Sequence, residues 1–180
     1  MNADNITDAR PQTSGALYFA AAGTTLPTDA STALAADFKQ LGYVTVDGFR
    51  VTENRDTVQW DAWEADDVVR VSNSHSVEIK FNLMEPFSEQ AAKLMFGPAN
   101  VTAADGVATA IQINGGNVPE GVLVAEMLLR NGDKMRAVIG RFQVTEVGEF
   151  TFKRGEALAP EVTGAAMGAA GANKVSYYFA

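Results

Sequence analysis

Hydrophobic and polar residues alternate most clearly over residues 68–84. Val69 and Val71 stand between polar residues, and the alternation resumes in the second half of the segment. A period of two is typical of a strand with one buried face. The pattern therefore predicts one long half-buried strand, broken or bulged near Asn73-Ser74.

Shorter segments rich in β-branched and aromatic residues predict further strands. In chain order they cover residues 15–20, 41–46, 107–113, 122–130, 134–145, 147–153 and 174–180. Asn131-Gly132 joins two of these segments and predicts a two-residue hairpin turn, because both positions tolerate a positive φ. Closely spaced strands with hairpin turns are typical of antiparallel β-domains.

One apolar stripe with helical spacing follows the long strand. Ser88 can cap a helix here, and Gly97 ends it. So short a helix is not stable alone, and we expect it to dock on a sheet through Leu94 and Phe96. A single helical turn is also expected around residues 34–38.

Three segments lack the pattern of a packed element. Residues 1–14 are polar and predict a flexible N-terminal arm, and the Ala/Gly-rich residues 155–172 predict a mobile C-terminal segment. Residues 47–67 predict a long ordered loop or an extended hairpin. The whole chain, 1–180, is expected to be a single mainly β domain, an antiparallel β-sandwich or barrel with one short flanking α-helix.

Residues 47–67 also concentrate the charge and the tryptophans of the chain. They carry seven acidic and two basic residues, so the segment holds −5 of the formal net charge of −8. Aromatic residues set among charges are typical of interface anchors, with a core position as the alternative for each tryptophan. We therefore expect a contact with a neighbouring subunit. The candidate interface residues are Arg50, Glu53, Arg55, Asp56, Trp60, Asp61, Trp63 and Glu64.

The composition argues against catalysis and against a bound metal or cofactor. The chain has no cysteine and one histidine, which excludes thiolate and multi-histidine metal sites. His75 lies between Ser74 and Ser76, but adjacent residues of a strand point to opposite faces, so no pair of nucleophile and base is expected. The acidic residues of 61–67 lack the spacing of a calcium loop, and a solvated or interface surface is the favoured interpretation.

The acidic balance sets further limits on the partners. A sequence pI near 4.6 is unsuited to gripping DNA phosphates, which needs a basic face. No apolar run has the length that spans a bilayer, and the polar start lacks the order of a signal peptide. We therefore expect no membrane association and a soluble intracellular product.

Two motifs and the order of the elements resemble a known family. Residues 15–30, GALYFAAAGTTLPTDA, and residues 41–48, LGYVTVDG, resemble recurring motifs of the major tail proteins of long-tailed actinobacteriophages. The acidic tryptophan segment, the long strand, the short helix and the hairpins follow in the same order. The resemblance covers residues 15–155, and the Gly-Ala pairs of residues 157–172 depart from it.

The resemblance implies a structural function in a phage tail. Members of the family have the tail-tube fold, six copies form a ring, and the rings stack into a hollow conduit for genome delivery. The implied partners are further copies of the chain, the tape measure protein, the tail terminator and the distal tail proteins. DNA would pass through the lumen without specific binding. The protein would reside in the virion tail after assembly in the host cytoplasm.

Two other functions are alternatives to a phage tail tube. One is a soluble β-sandwich binding module of a virion, which usually shows a concentrated aromatic platform on its strands. The other is the tube protein of a related injection particle, such as a gene transfer agent or a contractile system. Assembly into rings or tubes separates a tube protein from a monomeric binding module.

Overall fold

The computed structural model describes residues 6–12, 15–116, 118–168 and 172–180. Its strands are β1 (Ala9–Pro11), β2 (Leu17–Ala21), β3 (Lys39–Gln40), β4 (Arg50–Ala62), β5 (Ala65–Asn82), β6 (Val101–Ala104), β7 (Val107–Ile111), β8 (Gly121–Leu129), β9 (Lys134–Val147), β10 (Glu161–Ala166) and β11 (Ser176–Phe179). Helix α1 spans Glu89–Phe96, and a 3-10 turn follows at Pro98–Asn100. The prediction of a mainly β fold with one short α-helix is confirmed for the described residues.

Nine of the strands form one antiparallel sheet. Its order is β3-β2-β8-β9-β10-β5-β4, while β1 pairs with β8 beyond the end of β2, and β11 pairs with β9 beyond the end of β10. Strands β6 and β7 pair with each other beside α1. Antiparallel pairing lets tight turns join consecutive strands, as between β4 and β5 and between β8 and β9.

The larger hydrophobic core lies between one face of this sheet and α1. Phe81, Ile139 and Phe142 are fully buried there, in one cluster with Leu94 and Met95 of the helix. Full burial of such a side chain stabilises the fold by about 1.5–3 kcal/mol. We call this side of the sheet the core face and the opposite side the outer face.

A buried ion pair on the outer face holds a loop against the sheet. Arg136 Nε donates to Glu126 Oε1 at 2.9 Å, and both side chains are almost fully buried. The same guanidinium donates to the backbone carbonyl oxygens of Asp29 at 2.7 Å and Thr32 at 2.8 Å. The chain after this loop contributes Phe38 to a second, smaller core cluster.

The ends of α1 follow the signals in the sequence. Ala91 N–H donates to Ser88 Oγ at the N-terminus, and Gly97 has a φ of 85° at the C-terminus. Leu94 is 2% exposed, and the half-buried Phe96 packs against the same core cluster. The helix therefore docks on the core face of the sheet.

Strand β10 overturns the prediction of a mobile segment over residues 155–172. Glu161–Ala166 lie between β9 and β5, and four of these six residues are buried. Small residues are required there, because a Cβ on Gly164 would lie 2.3 Å from atoms of the Phe142 ring. Close packing, not mobility, therefore explains the Ala/Gly-rich composition at β10. Residues 169–171 lie outside the described residues.

The N-terminal segment also differs from its prediction. Ala9–Pro11 form β1 and pair with residues 127–129 of β8, so this part of the expected flexible arm is a strand of the sheet. A polar segment can pair here because the end of β8 offers backbone groups that β2 does not reach. Residues 1–5, 13 and 14 lie outside the described residues.

Three predicted elements are wrong. Residues 41–46 form one isolated bridge, between Val44 and Leu83, and no strand. The chain leaves the sheet after Val147, and residues 34–38 form a turn that does not continue into a helix. Local propensity favours these elements, but residues 41–46 reach only the ends of β2 and β5, with backbone hydrogen bonds to Leu17 and Asn82. Strands β1, β3, β6 and β10 have no counterpart in the sequence prediction.

The β8–β9 hairpin forms as predicted, but its turn has a different geometry. Gly132 has a φ of 91°, whereas Asn131 keeps a negative φ. Leu129 C=O accepts a hydrogen bond from Gly132 N–H at 2.9 Å, and Leu129 N–H donates to Asp133 C=O at 2.8 Å. Asn131 contributes through its side chain, whose Oδ1 accepts from Asp133 N–H at 3.1 Å. The turn is therefore wider than a two-residue turn, and only its glycine needs the left-handed region.

Candidate subunit interface

The β4–β5 hairpin extends far beyond the sheet. Its base is held by β10, which pairs with residues 77–82 of β5. Every residue from 53 to 76 is exposed, and we call this part the projecting hairpin. Of the two interpretations of residues 47–67, an ordered loop or an extended hairpin, the second is confirmed.

A bulge at Asn73 interrupts the pairing of the projecting hairpin. Asp56 pairs with Ser74 and Thr57 pairs with Ser72, which leaves Asn73 as the extra residue. The irregularity predicted near Asn73-Ser74 is confirmed. One extra residue moves the following side chains of that strand to the other face of the ribbon.

The bulge turns the outer valines of β5 away from the core face. Val77 belongs to the core. Beyond the bulge, Val69 pairs with Trp60 and Val71 pairs with Val58. Directly paired residues share a face, and these two pairs lie on the outer face. Their exposed fractions range from 41% to 60%. We call Val58, Trp60, Val69 and Val71 the apolar stripe.

The opposite face of the projecting hairpin is polar. Glu53 accepts a hydrogen bond from Arg55 Nε at 2.7 Å, and its carboxylate lies 3.0 Å from His75 Nε2. The Arg55 guanidinium lowers the pKa of the Glu53 carboxyl. Nearer the end of the hairpin, Arg70 Nη2 donates to Gln59 Oε1 at 3.3 Å. The projecting hairpin is therefore amphipathic, with one apolar and one polar face.

The end of the hairpin carries four carboxylates, which belong to Asp61, Glu64, Asp66 and Asp67. Asp61 accepts a hydrogen bond from Asp67 N–H at 2.7 Å, and this bond lowers the pKa of the Asp61 carboxyl. Arg70 Nε pairs with Asp67 at 2.9 Å. Trp63 is fully exposed among these carboxylates. We call residues 61–67 the acidic tip.

All eight candidate interface residues lie on β4 or at the acidic tip. Trp60 and Trp63 are exposed, so the core position considered for them is wrong for a single copy. Arg50 and Arg55 each pair with a glutamate of their own chain. The contact of these residues with a neighbouring subunit stays a prediction.

A second apolar surface lies on the core face near the β8–β9 turn. Strand pairing places Met127, Met135 and Phe179 side by side across β8, β9 and β11, and Tyr177 lies on the same face of β11. Phe179 is 63% exposed and Tyr177 is 43% exposed. We call these four residues the apolar patch. Sequence reasoning missed it because only the sheet brings the three strands together, and the β-prone residues 174–180 were its one signal.

The described parts of the chain show no other candidate site of the kinds considered from the sequence. They contain no group of three or more His, Cys, Asp or Glu side chains arranged to hold a metal ion. No helix in these parts is both long and apolar enough to cross a membrane. Exposed apolar surfaces such as the stripe and the patch are candidate sites of interaction.

Comparison with known proteins identifies the family. No curated protein matches the sequence. A solved structure described as "Virion of native gene transfer agent (GTA) particle" is 15% identical, with 82% of this chain and 92% of that chain covered and a TM-score of 0.44. The finer resemblance to actinobacteriophage proteins stays a prediction. A family model described as phage tail tube protein matches residues 1–179, so the chain belongs to the phage tail tube protein family and is a structural component of a virion tail.

Proposed function

We propose that this chain is the subunit of a ring, that the rings stack into a hollow tail tube, and that the tube delivers the phage genome. The observation that carries the proposal is the family match over residues 1–179. Six copies per ring is the number that the sequence resemblance implies. The role is structural and needs neither catalysis nor a cofactor.

The edges of the sheet support a side-by-side assembly of copies. Near the β8–β9 turn the strand order is β1-β8-β9-β11, and within the described residues β1 and β11 each pair with one strand only. These four strands alternate in direction, so β11 of one copy can pair with β1 of the next in the antiparallel sense. Because the two edges differ, the contact is heterologous, and such contacts close into a ring when the rotation between copies divides a full turn.

The distribution of charge supports a conduit for DNA. The formal net charge is −8. On β9, Arg136 is buried against Glu126, and Arg141 pairs with Glu120 at 2.8 Å. Cations neutralised inside the chain are not available to phosphates, so a duplex passing an acidic wall is repelled and stays free to slide.

Other tail proteins complete the proposal. Contacts between copies build the tube itself. The tape measure protein, the tail terminator and the distal tail proteins would meet the tube inside it or at its ends. Assembly would take place in the host cytoplasm, and the finished tube would reside in the virion tail.

Negative-stain microscopy and light scattering of the purified chain, over a range of concentrations, test this function. We expect rings of six copies or hollow tubes of constant width. A chain that stays monomeric at the highest concentration would contradict the proposal and favour a virion binding module.

A further inference from the structure

One copy of the chain leaves two apolar surfaces uncovered. The residues of the apolar stripe are 41–60% exposed, and Phe179 of the apolar patch is 63% exposed. Burial of apolar surface gains about 25 cal/mol per Å², so both surfaces favour a covering partner. Each surface lies on paired strands with a fixed backbone, and each can therefore receive another sheet.

The order of the strands sets where the projecting hairpin lies. Strands β10 and β11 lie on the same side of β9, and β5 and β4 lie beyond β10. At the C-terminal end of β10, Ala166 pairs with Val77 of β5 and with Phe142 of β9. The projecting hairpin continues from this end of β5, and the β8–β9 turn continues from this end of β9. Both therefore leave the sheet at the same end. The hairpin therefore extends past β11, toward the place that the next copy occupies when β11 pairs with its β1.

The bulge at Asn73 puts the stripe on the outer face of the hairpin, which is the face turned toward a neighbour when the hairpin lies over that neighbour's core face. When the sheets of two copies continue side by side, their core faces point to the same side. A hairpin that lies over the core face of the neighbour presents its own outer face to it. The stripe is on the outer face and the patch is on the core face. Without the extra residue, Val69 and Val71 would point away from the neighbour.

The charges beyond the two apolar surfaces are of opposite sign. The acidic tip, which follows the stripe, has four carboxylates and no basic residue. The β8–β9 turn, which follows the patch, carries Arg130 and Lys134, with Arg10 of β1 beside it and Asp8 and Asp133 as the acids nearby. Copies in one ring share their orientation, so tip and turn lie at the same level. Complementary charges at the rim of an interface favour one register and faster association.

We propose that the apolar stripe of one copy docks on the apolar patch of the neighbouring copy in the same ring, with the acidic tip beside the β8–β9 turn of that neighbour. This inference rests on the ring assembly proposed above and assigns the surfaces that join its copies. The occupant of the patch is thus a second copy of this chain. The stripe and the patch are different surfaces, so each copy docks on one neighbour and receives the other.

Cross-linking between differently tagged copies tests the docking, because the chain has no cysteine of its own. One copy carries Val58→Cys on the stripe, and the other carries Phe179→Cys on the patch. The matched control replaces Val58→Cys with Thr57→Cys, which is adjacent but on the polar face. After mixing, assembly and treatment with a short bismaleimide, we expect several-fold more mixed covalent dimer from the stripe variant than from the control.

The outcomes separate this inference from the proposed function. Equal cross-linking by the stripe and control variants within well-formed rings would overturn the docking and leave the ring assembly intact. No assembly by the wild-type chain would overturn both.

A charge exchange in the two cysteine variants tests the register of the docking. Glu64→Lys with Asp66→Lys should lower the yield of mixed dimer several-fold. Adding Arg130→Glu and Lys134→Glu to the partner copy should restore it. A yield that the first pair of changes leaves unaltered would overturn the placement of the tip beside the turn.

Discussion

Gly164 decides how closely β10 packs on β9. A Cβ at this residue would lie 2.3 Å from atoms of the Phe142 ring and 2.8 Å from the carbonyl oxygen of Gln143. We expect Gly164→Ala to lower the free energy of unfolding by about 1–3 kcal/mol, because the core has no room for the methyl group. Gly115→Ala is the control, since nothing lies within 4 Å of its Cβ position. Urea unfolding of both variants measures the difference. Equal small losses of unfolding free energy would mean that the Phe142 ring can move aside without destabilising the fold.

Arg136 and Glu126 form the buried ion pair of the outer face, with exposed side-chain fractions of 4% and 10%. We expect Arg136→Met to lower the free energy of unfolding by about 3–5 kcal/mol, because it leaves a buried carboxylate without its partner. The double variant with Glu126→Leu should recover part of that loss. Thermal or urea unfolding of the three proteins measures the effect.

Arg141→Met is the matched control for this pair. Arg141 pairs with Glu120 near the surface, and exposed pairs contribute about 0–1 kcal/mol. If Arg136→Met costs no more than Arg141→Met, the buried pair does not hold the loop at Asp29 and Thr32 as the contacts indicate.

Helix α1 depends on its docking more than on its own length. Leu94 is 2% exposed, and we expect Leu94→Ala to cost roughly 2–5 kcal/mol of unfolding free energy, as deletion of buried methyl groups does. Gln90→Ala, on the same helix but outside the core, should change it by about 0.5 kcal/mol or less. Chemical denaturation checks both values. A loss below about half a kcal/mol for Leu94→Ala would contradict the packing of the helix on the core face.

The arginines of β4 require a test that separates contacts inside one chain from contacts between chains. Reversal of Arg50 and Arg55 to glutamate should leave the fold intact and shorten tubes, as expected for an interface repeated around a ring. However, Arg50 pairs with Glu161 in its own chain, and such exposed pairs contribute about 0–1 kcal/mol each. Reversal therefore also places like charges within one copy.

An exchange of the two charges resolves this ambiguity. Arg50→Glu combined with Glu161→Arg restores the pair inside the chain but leaves the charge facing a neighbour reversed. We expect tubes measured by electron microscopy to stay short in this variant. Tubes of normal length from the exchange variant would mean that Arg50 acts only within its own copy. Tubes of normal length from the double reversal of Arg50 and Arg55 would mean that neither arginine lies in the interface.

At the scale of the whole molecule, the charge predicts that duplex DNA is not held. The net charge is −8, and Lys153-Arg154, the densest pair of cations, lies beside Glu156, 3.6 Å from Lys153 Nζ. Phosphate binding needs several clustered cations, so we expect no binding of free duplex to the subunit at moderate salt. Fluorescence anisotropy of a labelled duplex measures it. Glu149→Lys with Glu156→Lys gathers four cations in this loop and should create salt-dependent binding.

The lumen surface is a separate prediction at the same scale. Residues 68–84 and 122–145 are expected to line the channel with a neutral or acidic face. Arg136 is buried, and Arg70, Lys80 and Arg141 each have a carboxylate partner. Arg130 and Lys134 are therefore the cations that decide this prediction. A reconstruction of an assembled tube with these two side chains along the channel, and no carboxylates beside them, would contradict a repulsive wall.

Features that depend on neighbouring residues were predictable from the amino-acid order alone. Four such features are present in the structure, and each depends on a few consecutive residues. They are the caps of α1, the apolar face of α1, the alternation of β5 and the bulge at Asn73. The candidate interface was also visible in part, because charge and tryptophans are concentrated in one segment. The motifs of residues 15–48 pointed to the family for the same reason.

Contacts between residues far apart in the sequence became visible only in the folded chain. The Ala/Gly-rich segment is a central strand because Gly164 fits under Phe142, a contact that no local pattern encodes. The apolar patch exists only where β8, β9 and β11 pair, and the ion pair of Arg50 with Glu161 depends on the alignment of β4, β5 and β10. Local pattern fixes the conformation of a segment, whereas its neighbours follow from packing across the whole chain, so the surfaces that copies share become visible only in the folded molecule.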